Sequence, residues 1–332
     1  MDVIVSKYAG FCPGVKRATE IALKEAENHP VATYGPLVHN AEVVEALANQ
    51  GVSAIEDLEG GFPDTIVIRS HGVSPAEMEK LLATGKYIVD ATCPHVSHIH
   101  RLADSVGQRR LVIIGDPHHP EVRGIAGWAR SGYSVVPSPQ AALSVATDLP
   151  VTVVVQTTFQ EDKFADILEI LKDKFQDIEV HNTICPATRQ RQQEVAEISR
   201  KVDVMLVVGG IHSANTQKLV NICLQSGVDT HHIQSSTDVN PSWFHGVNTV
   251  GIAAGASTPE WIIREVVEMV METNNEGIEE VKEDTEEVLE GQNEVLEEQE
   301  EILEQQDEIL EQQSKPLAVG DIVVGKVVQV NP

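Results

Sequence analysis

For about 270 residues the chain alternates short β-branched runs with stretches of helical periodicity, and few architectures accept that rhythm. Candidate strands are Val3–Val5, Ile66–Arg69, Tyr87–Val89, Leu111–Ile114, Val151–Val155, Ile178–Val180, Val204–Val208 and Thr249–Ala253. Helical patterns such as Arg17–Asn28, Lys163–Phe175 and Gln193–Lys201 lie between some of them. The expectation is an α/β fold with mainly parallel sheets. Aromatic residues are only 4% of the chain while apolar residues are 42%, so the core must be aliphatic. Such a core suits parallel strands buried on both faces. The 332 residues allow two or three folding units or one large one.

The rhythm stops near residue 272. From Met271 to Lys315 there are 18 acidic and 2 basic residues, a net of −16 out of the whole chain's −27, which leaves −11 elsewhere. Apolar pairs recur every seventh residue, at Val288-Leu289, Val295-Leu296, Ile302-Leu303 and Ile309-Leu310. No second apolar position follows three or four residues on, so a coiled-coil seam would be thin. Residues 272–316 therefore read as an acidic helical or disordered linker. Residues 317–332 alternate like a first β-strand and resemble the start of an S1-type RNA-binding barrel, cut short. The globular part is too acidic for non-specific nucleic-acid binding. The opening apolar run is too short for a signal peptide, and no stretch is long enough to span a membrane. The expected location is cytoplasmic.

Four cysteines spread this widely are no disulfide framework. Three share a context: Cys12-Pro13, Cys93-Pro94 and Cys185-Pro186, each followed by residues that can start a helix. Cys223 lacks the proline, sits on a helical pattern and reads as core. Proline is favoured at the first helical position, which puts each cysteine near an N-cap. There the positive helix end stabilises a thiolate. A structural zinc site needs four ligands, usually with close cysteine pairs, and no close pair exists. An electron-transfer cluster is normally held by four cysteines. Three distant ones favour an iron–sulfur cluster with one open iron.

Ligands of open α/β sheets bind beyond the carboxyl ends of the strands. Those ends carry His39-Asn40, Ser70-His71-Gly72, His118-His119-Pro120-Glu121, Gln156-Thr157-Thr158, Gly209 through Thr216 and Gly255-Ala256-Ser257. Glycine with Ser213, Asn215 and Ser257 offers small donors of the kind that cradle phosphate oxygens. His39 and His71 add further partners. His119 and Glu121 can relay a proton if the carboxyl is kept protonated by burial. His95, His98, His100, His181, His231 and His232 lack such support and read as surface or packing residues.

With these motifs in order, residues 1 to about 271 resemble the 4-hydroxy-3-methylbut-2-enyl diphosphate reductases of the non-mevalonate isoprenoid pathway. The resemblance rests on Gly10-Phe11-Cys12-Pro13-Gly14-Val15, Val38-His39-Asn40, Ser70-His71-Gly72, Ala91-Thr92-Cys93-Pro94, His119-Pro120-Glu121, Gln156-Thr157-Thr158, Asn182-Thr183-Ile184-Cys185, Ser213–Asn215 and Gly255-Ala256-Ser257. It implies three similar α/β lobes around a central [4Fe–4S] cluster, roughly 14–96, 97–193, and 194–271 with 1–13. It implies reductive loss of the substrate's C4 hydroxyl at the open iron, giving isopentenyl and dimethylallyl diphosphates. Cys12, Cys93 and Cys185 would hold the cluster. His39, His71, Ser213, Asn215 and Ser257 would grip the diphosphate. His119, Glu121, Thr157 and Thr158 would manage the leaving hydroxyl and protons, with ferredoxin or flavodoxin as electron donor. One departure is Ser213-Ala214-Asn215, where the family often has Ser-Ser-Asn. Two other readings stay open: an open-iron hydro-lyase, and an RNA-binding protein built on a structural metal scaffold.

Overall fold

Strands that are apolar on both faces must be covered by helices, and the chain meets that demand three times over. The computed structural model describes residues 1–38, 41–211 and 213–273, with residues 41 and 42 as backbone only. His39, the acidic segment from 274 onward and the S1-like stretch lie outside the described residues.

Twelve strands occur among the described residues: β1 (Asp2–Val5), β2 (Val31–Tyr34), β3 (Val52–Ile55), β4 (Thr65–Ile68), β5 (Tyr87–Asp90), β6 (Arg110–Ile114), β7 (Tyr133–Val136), β8 (Val151–Val155), β9 (Ile178–Val180), β10 (Val204–Val208), β11 (Asp229–Ile233) and β12 (Thr249–Ala254). They form three four-stranded sheets, ordered β3-β2-β4-β5, β7-β6-β8-β9 and β11-β10-β12-β1. Every pairing is parallel. The three orders are the same pattern, with the N-terminal strand β1 supplying the fourth strand of the third sheet. The expected three α/β lobes with parallel sheets are borne out.

In each sheet the interior strands β4, β8 and β10 are buried along their whole length. These are the runs that sequence periodicity finds. Four strands are absent from the candidates: the interior β2, and β3, β7 and β11, each at an edge of its sheet. An edge strand keeps one side open to water, so Val-Ser-Ala-Ile, Tyr-Ser-Val-Val and Asp-Thr-His-His-Ile carry no continuous apolar run. The helices also start earlier than their apolar periodicity predicts. α1 spans Pro13–Ala26, α4 Pro94–Ser105, α7 Glu161–Lys174 and α8 Pro186–Ile198. The first turns of α1, α4 and α8 line a shared cavity, with Gly14, His95, Ala187 and Thr188 among the residues there.

Between these helices lie α2 (Ala41–Asn49), α3 (Pro75–Ala83), α5 (Pro120–Trp128) and α6 (Pro139–Ser144), followed by α9 (Ala214–Ser226) and α10 (Glu260–Glu272). α1, α4 and α8 have a special place. Each carries the chain from one sheet to the next: α1 from the third to the first, α4 from the first to the second, α8 from the second to the third. The chain thus runs as a closed ring of three lobes. The largest aliphatic core is shared between the first and third sheets, joining Val31 and Val67 to Val204, Leu206 and Ile252.

Leu206 lies fully buried in the middle of β10 within that core. Leu206→Ala should cost about 2–5 kcal/mol of stability, through lost burial plus an unfilled cavity. Urea unfolding measures it, and a loss below ~1 kcal/mol would mean that the core closes over the gap.

Candidate active site

In a sheet of this order the chain reverses direction between the first and third strands of the unit, and ligands bind beyond the carboxyl ends there. The switch strands are β2 and β4, β6 and β8, β10 and β12. The motifs singled out in the sequence follow these six strands. A single cavity gathers them: it is lined by His71, His119, Glu121, Thr157, Thr158, Ser213, Asn215 and Ser257, together with all three Cys-Pro cysteines. Val38, next to the undescribed His39, lines it too.

The cysteines reach the cavity from the fourth strands. Each is the N-cap residue of a lobe-to-lobe helix, with proline in the first turn: Cys12 on α1, Cys93 on α4, Cys185 on α8. Each also donates its backbone N–H to a carbonyl in the loop after the neighbouring third strand. Cys12 bonds to Ala256 at 3.1 Å, Cys93 to Ser70 at 3.0 Å and Cys185 to Thr157 at 2.9 Å. The same bond is made three times, and every anchor adjoins or is one of the polar residues predicted for the site. Cys223, by contrast, is fully buried beside Val195, Met205 and Leu219 on the third lobe.

The thiols are partly exposed where they line the cavity. Burial pushes the Cys93 thiol far up, and the charges of Cys12 and Cys185 push it further. Cys185 is pushed up to about 11 by burial and then by Cys12. Thiols kept protonated by burial and by a neighbouring thiolate, as Cys93 and Cys185 are, call for a cation beside them before they ionise. Among the described residues no three His, Cys, Asp or Glu side chains sit close enough to hold one metal ion. Soft thiolates spaced wider than a single ion requires fit a polynuclear iron–sulfur group. The wall fits too: a Cβ on Gly14 would come within 2.6 Å of the Cys93 sulfur, so only glycine leaves that sulfur its place.

Glu121 is 1% exposed, in the first turn of α5. Its two oxygens accept from Thr157, Oε1 from the backbone N–H at 2.6 Å and Oε2 from the hydroxyl at 2.7 Å. Burial raises its pKa, which the Thr157 hydrogen bonds and the charge of Lys218 only partly offset. His119 caps the same helix, its Nδ1 accepting from the Glu121 N–H at 3.3 Å. That bond leaves the proton of neutral His119 on Nε2. The ring meets His71 edge-on, with centroids 5.2 Å apart.

On the third lobe Ser213 caps α9, its hydroxyl accepting from Thr216 N–H at 3.3 Å. Asn215, in the first turn, is buried with neither amide atom paired among the described residues. An unpaired buried amide beside a helix N-terminus calls for a polar ligand. The glycines of this region also have a packing role. A Cβ at Gly255 would lie 2.2 Å from the Thr216 hydroxyl, and one at Gly209 would lie 2.6 Å from it. These glycines make room for Thr216.

Three cavity neighbours were not found by sequence reasoning. His95, read as a surface or packing residue, lines the cavity in the first turn of α4. Lys218 on α9 donates to the Thr158 carbonyl at 2.5 Å and lies over the Phe159 ring. Burial holds its pKa down to about 8, against the pull of Glu121. Arg191 on α8 is buried beside Cys12 and Cys185. His95 follows Cys93 by two, a spacing that could have marked it. Nothing local marks the other two.

Fold and cavity together define a three-lobed α/β enzyme that presents one helix-capping cysteine from each lobe. The chain belongs to the LytB protein family, whose model matches residues 3–271. It is 41% identical over 280 residues to the 4-hydroxy-3-methylbut-2-enyl diphosphate reductase of Geobacter sulfurreducens, covering 83% of this chain and 99% of that protein. With the enzyme of the same name from Caldanaerobacter subterraneus subsp. tengcongensis it shares 39% over 287 residues, 83% and 99% of the two chains. Among solved structures, the E-1-hydroxy-2-methyl-but-2-enyl-4-diphosphate reductase of Plasmodium falciparum superposes with a TM-score of 0.75 at 30% identity, over 80% of this chain and 86% of that one. A second, titled as the terminal enzyme of the non-mevalonate pathway, gives 0.61 at 38% identity, over 82% and 100%. The family resemblance seen in the sequence is borne out, and with it the assignment as an oxidoreductase.

Two outcomes test this geometry. Gly14→Ala should destabilise the protein by about 1–3 kcal/mol, because the new methyl group drives Cys93 from its position. Denaturant unfolding measures it. Glu121 has a folded-state pKa above its unfolded value, so its stabilising contribution is complete below the unfolded pKa and is lost as pH rises through the folded one. Melting temperatures of wild type and Glu121→Gln between pH 4 and 8 should therefore diverge, the wild type losing ground to the variant as pH rises. Parallel curves would mean that Glu121 keeps an ordinary pKa.

Proposed function

We propose that the chain reduces 4-hydroxy-3-methylbut-2-enyl diphosphate to isopentenyl and dimethylallyl diphosphates, with Cys12, Cys93 and Cys185 holding a [4Fe–4S] cluster. The observation that carries this reading is the threefold arrangement of helix-capping cysteines, each tied by its N–H to a strand-end loop of one cavity. The relatives' names supply the substrate. The reaction takes two electrons and two protons, breaks the C4–O bond and releases water. When bound, the cluster supplies a Lewis-acidic iron that polarises this bond and a relay that passes electrons singly.

The chain's own residues bind, orient and protonate. Ser213 and the amide of Asn215 receive the diphosphate at the positive end of α9, with His71 and Ser257 on the same cavity wall. Glu121 stores a proton. In its protonated form Oε2–H donates to the Thr157 hydroxyl, which then turns its own hydrogen toward the cavity and the leaving oxygen. His119 holds Glu121 through the helix cap, and Thr158 extends the same wall. The outside electrons suit a small one-electron carrier, a ferredoxin or flavodoxin, in the cytoplasm. The described residues contain no helix long and apolar enough to cross a membrane. The spacing of the thiols speaks against the single-ion scaffold of an RNA-binding protein.

Anaerobic purification with iron and sulfide analysis, followed by turnover with and without a reductant, tests the proposal. A brown protein that turns over only with reductant is expected. Turnover without reductant would favour the hydro-lyase, and a colourless zinc protein would refute both. Cys93→Ser should lose most of the iron while Cys223→Ser keeps it. Glu121→Gln should keep iron and bound diphosphate but lose about 10²–10⁴-fold in turnover.

A further inference from the structure

Arg191 stands on α8, six residues beyond Cys185, and is 4% exposed. Its Nε donates to the Tyr8 carbonyl at 2.6 Å and its Nη2 to the Gly10 carbonyl at 2.8 Å. One turn on, Glu194 accepts from the same loop: from the Ser6 hydroxyl at 2.5 Å, Tyr8 N–H at 3.2 Å and Lys7 N–H at 3.3 Å. The loop so held leads from β1 directly to Cys12. One helix thus carries one of the three cysteines at its cap and fixes a second through the loop before it.

The third guanidinium nitrogen, Nη1, is buried with no hydrogen-bond partner among the described residues. Leaving a buried cation partly unsatisfied is costly unless an opposite charge faces it. Cys12 and Cys185 are the first groups whose charges favour the protonated guanidinium, ahead of Glu194. A positive charge fixed beside an anionic redox centre favours its reduced, more negative form. The surroundings are poorly screened, so the effect is not diluted by water.

We infer that Arg191 is a positioning residue for the cluster: it locks the Cys12 loop onto the Cys185 helix and fixes a positive charge that makes the cluster easier to reduce. This rests on the reading that Cys12, Cys93 and Cys185 hold an iron–sulfur cluster.

The test compares the full-length, anaerobically reconstituted wild type with Arg191→Gln, Arg191→Lys and Glu194→Gln. The readouts are iron per chain and the reduced-to-oxidised ratio in a spectroscopic redox titration. Arg191→Gln should shift that ratio at least tenfold toward the oxidised form, about 59 mV for a one-electron couple. Arg191→Lys, which keeps the charge, should stay within about threefold of wild type by the same relation. Glu194→Gln loosens the same loop but removes a negative charge, so its ratio should be unchanged or move the opposite way. A wild-type ratio in iron-loaded Arg191→Gln overturns the proposal, as does an equal shift in the same direction for Glu194→Gln. Should Arg191→Gln take up no cluster, Arg191→Lys decides: a tenfold shift with the charge retained overturns it, and a small one upholds it. A wild type without iron would overturn the cysteine reading itself, and this proposal with it.

Discussion

Burial and neighbouring thiolate charge push Cys93 and Cys185 up, so the thiols of one cavity cannot ionise together unless positive charge lies among them, and the fold is arranged around supplying and bounding that charge. The helix N-termini contribute part of it, since each cysteine caps a helix whose first N–H groups point its way. Position is as important as charge. Each cysteine hangs by its own N–H from a carbonyl at the end of a neighbouring strand, so the spacing of the thiols is inherited from the register of three sheets. The prolines after the cysteines start the helices without needing the N–H they lack. Gly14 shows how tight the fit is, with no room for a methyl group beside the Cys93 sulfur.

The three sheets share one strand order but contribute different chemistry. The first brings His71, the second the Glu121–Thr157 pair, and the third the polar start of α9 with Ser213 and Asn215. A repeated scaffold thus brings an imidazole, a buried carboxyl with its threonine, and the polar start of a helix to one cavity. The lobes do not act separately. Lys218 reaches from α9 to the Thr158 carbonyl, so the helix capped by Ser213 is bonded to the loop that carries Thr157. The same ammonium lowers the Glu121 pKa while Glu121 raises that of Lys218, and burial opposes ionisation of both. Each charge thus favours the other's ionised form, while burial remains the largest influence on both.

Much of this was legible in the sequence, and the legible part has a common physical origin. Interior strands such as Val151–Val155 are buried on both faces and leave an unbroken β-branched run. The Cys-Pro steps mark helix starts whatever follows them. Both signals are local. The edge strands β3, β7 and β11 were missed because one side of each faces water and polar residues interrupt the run. Arg191 and Lys218 were missed for a different reason: their partners, Gly10 and Thr158, lie 181 and 60 residues away. Nothing in the residues around them distinguishes a buried, committed cation from an ordinary helix-surface one. The packing role of the glycines at 209 and 255, room for Thr216, has no local sequence mark either.

The ring closure adds an ordering constraint. β1 pairs with β12 at the far end of the reductase region, and the loop that leads from β1 to Cys12 is held by Arg191 and Glu194 on α8. Closing so long a loop costs entropy that no local contact repays. Cys93 and Cys185 cap helices anchored within or between neighbouring lobes, whereas Cys12 reaches its place only when the first strand has joined the last sheet. Any group that requires all three thiols can therefore be held firmly only after the third lobe has closed on the N-terminus. The bonds from α8 to the Ser6–Gly10 loop make that closure and the placing of Cys12 a single event, because the helix that presents Cys185 is the one that receives the loop.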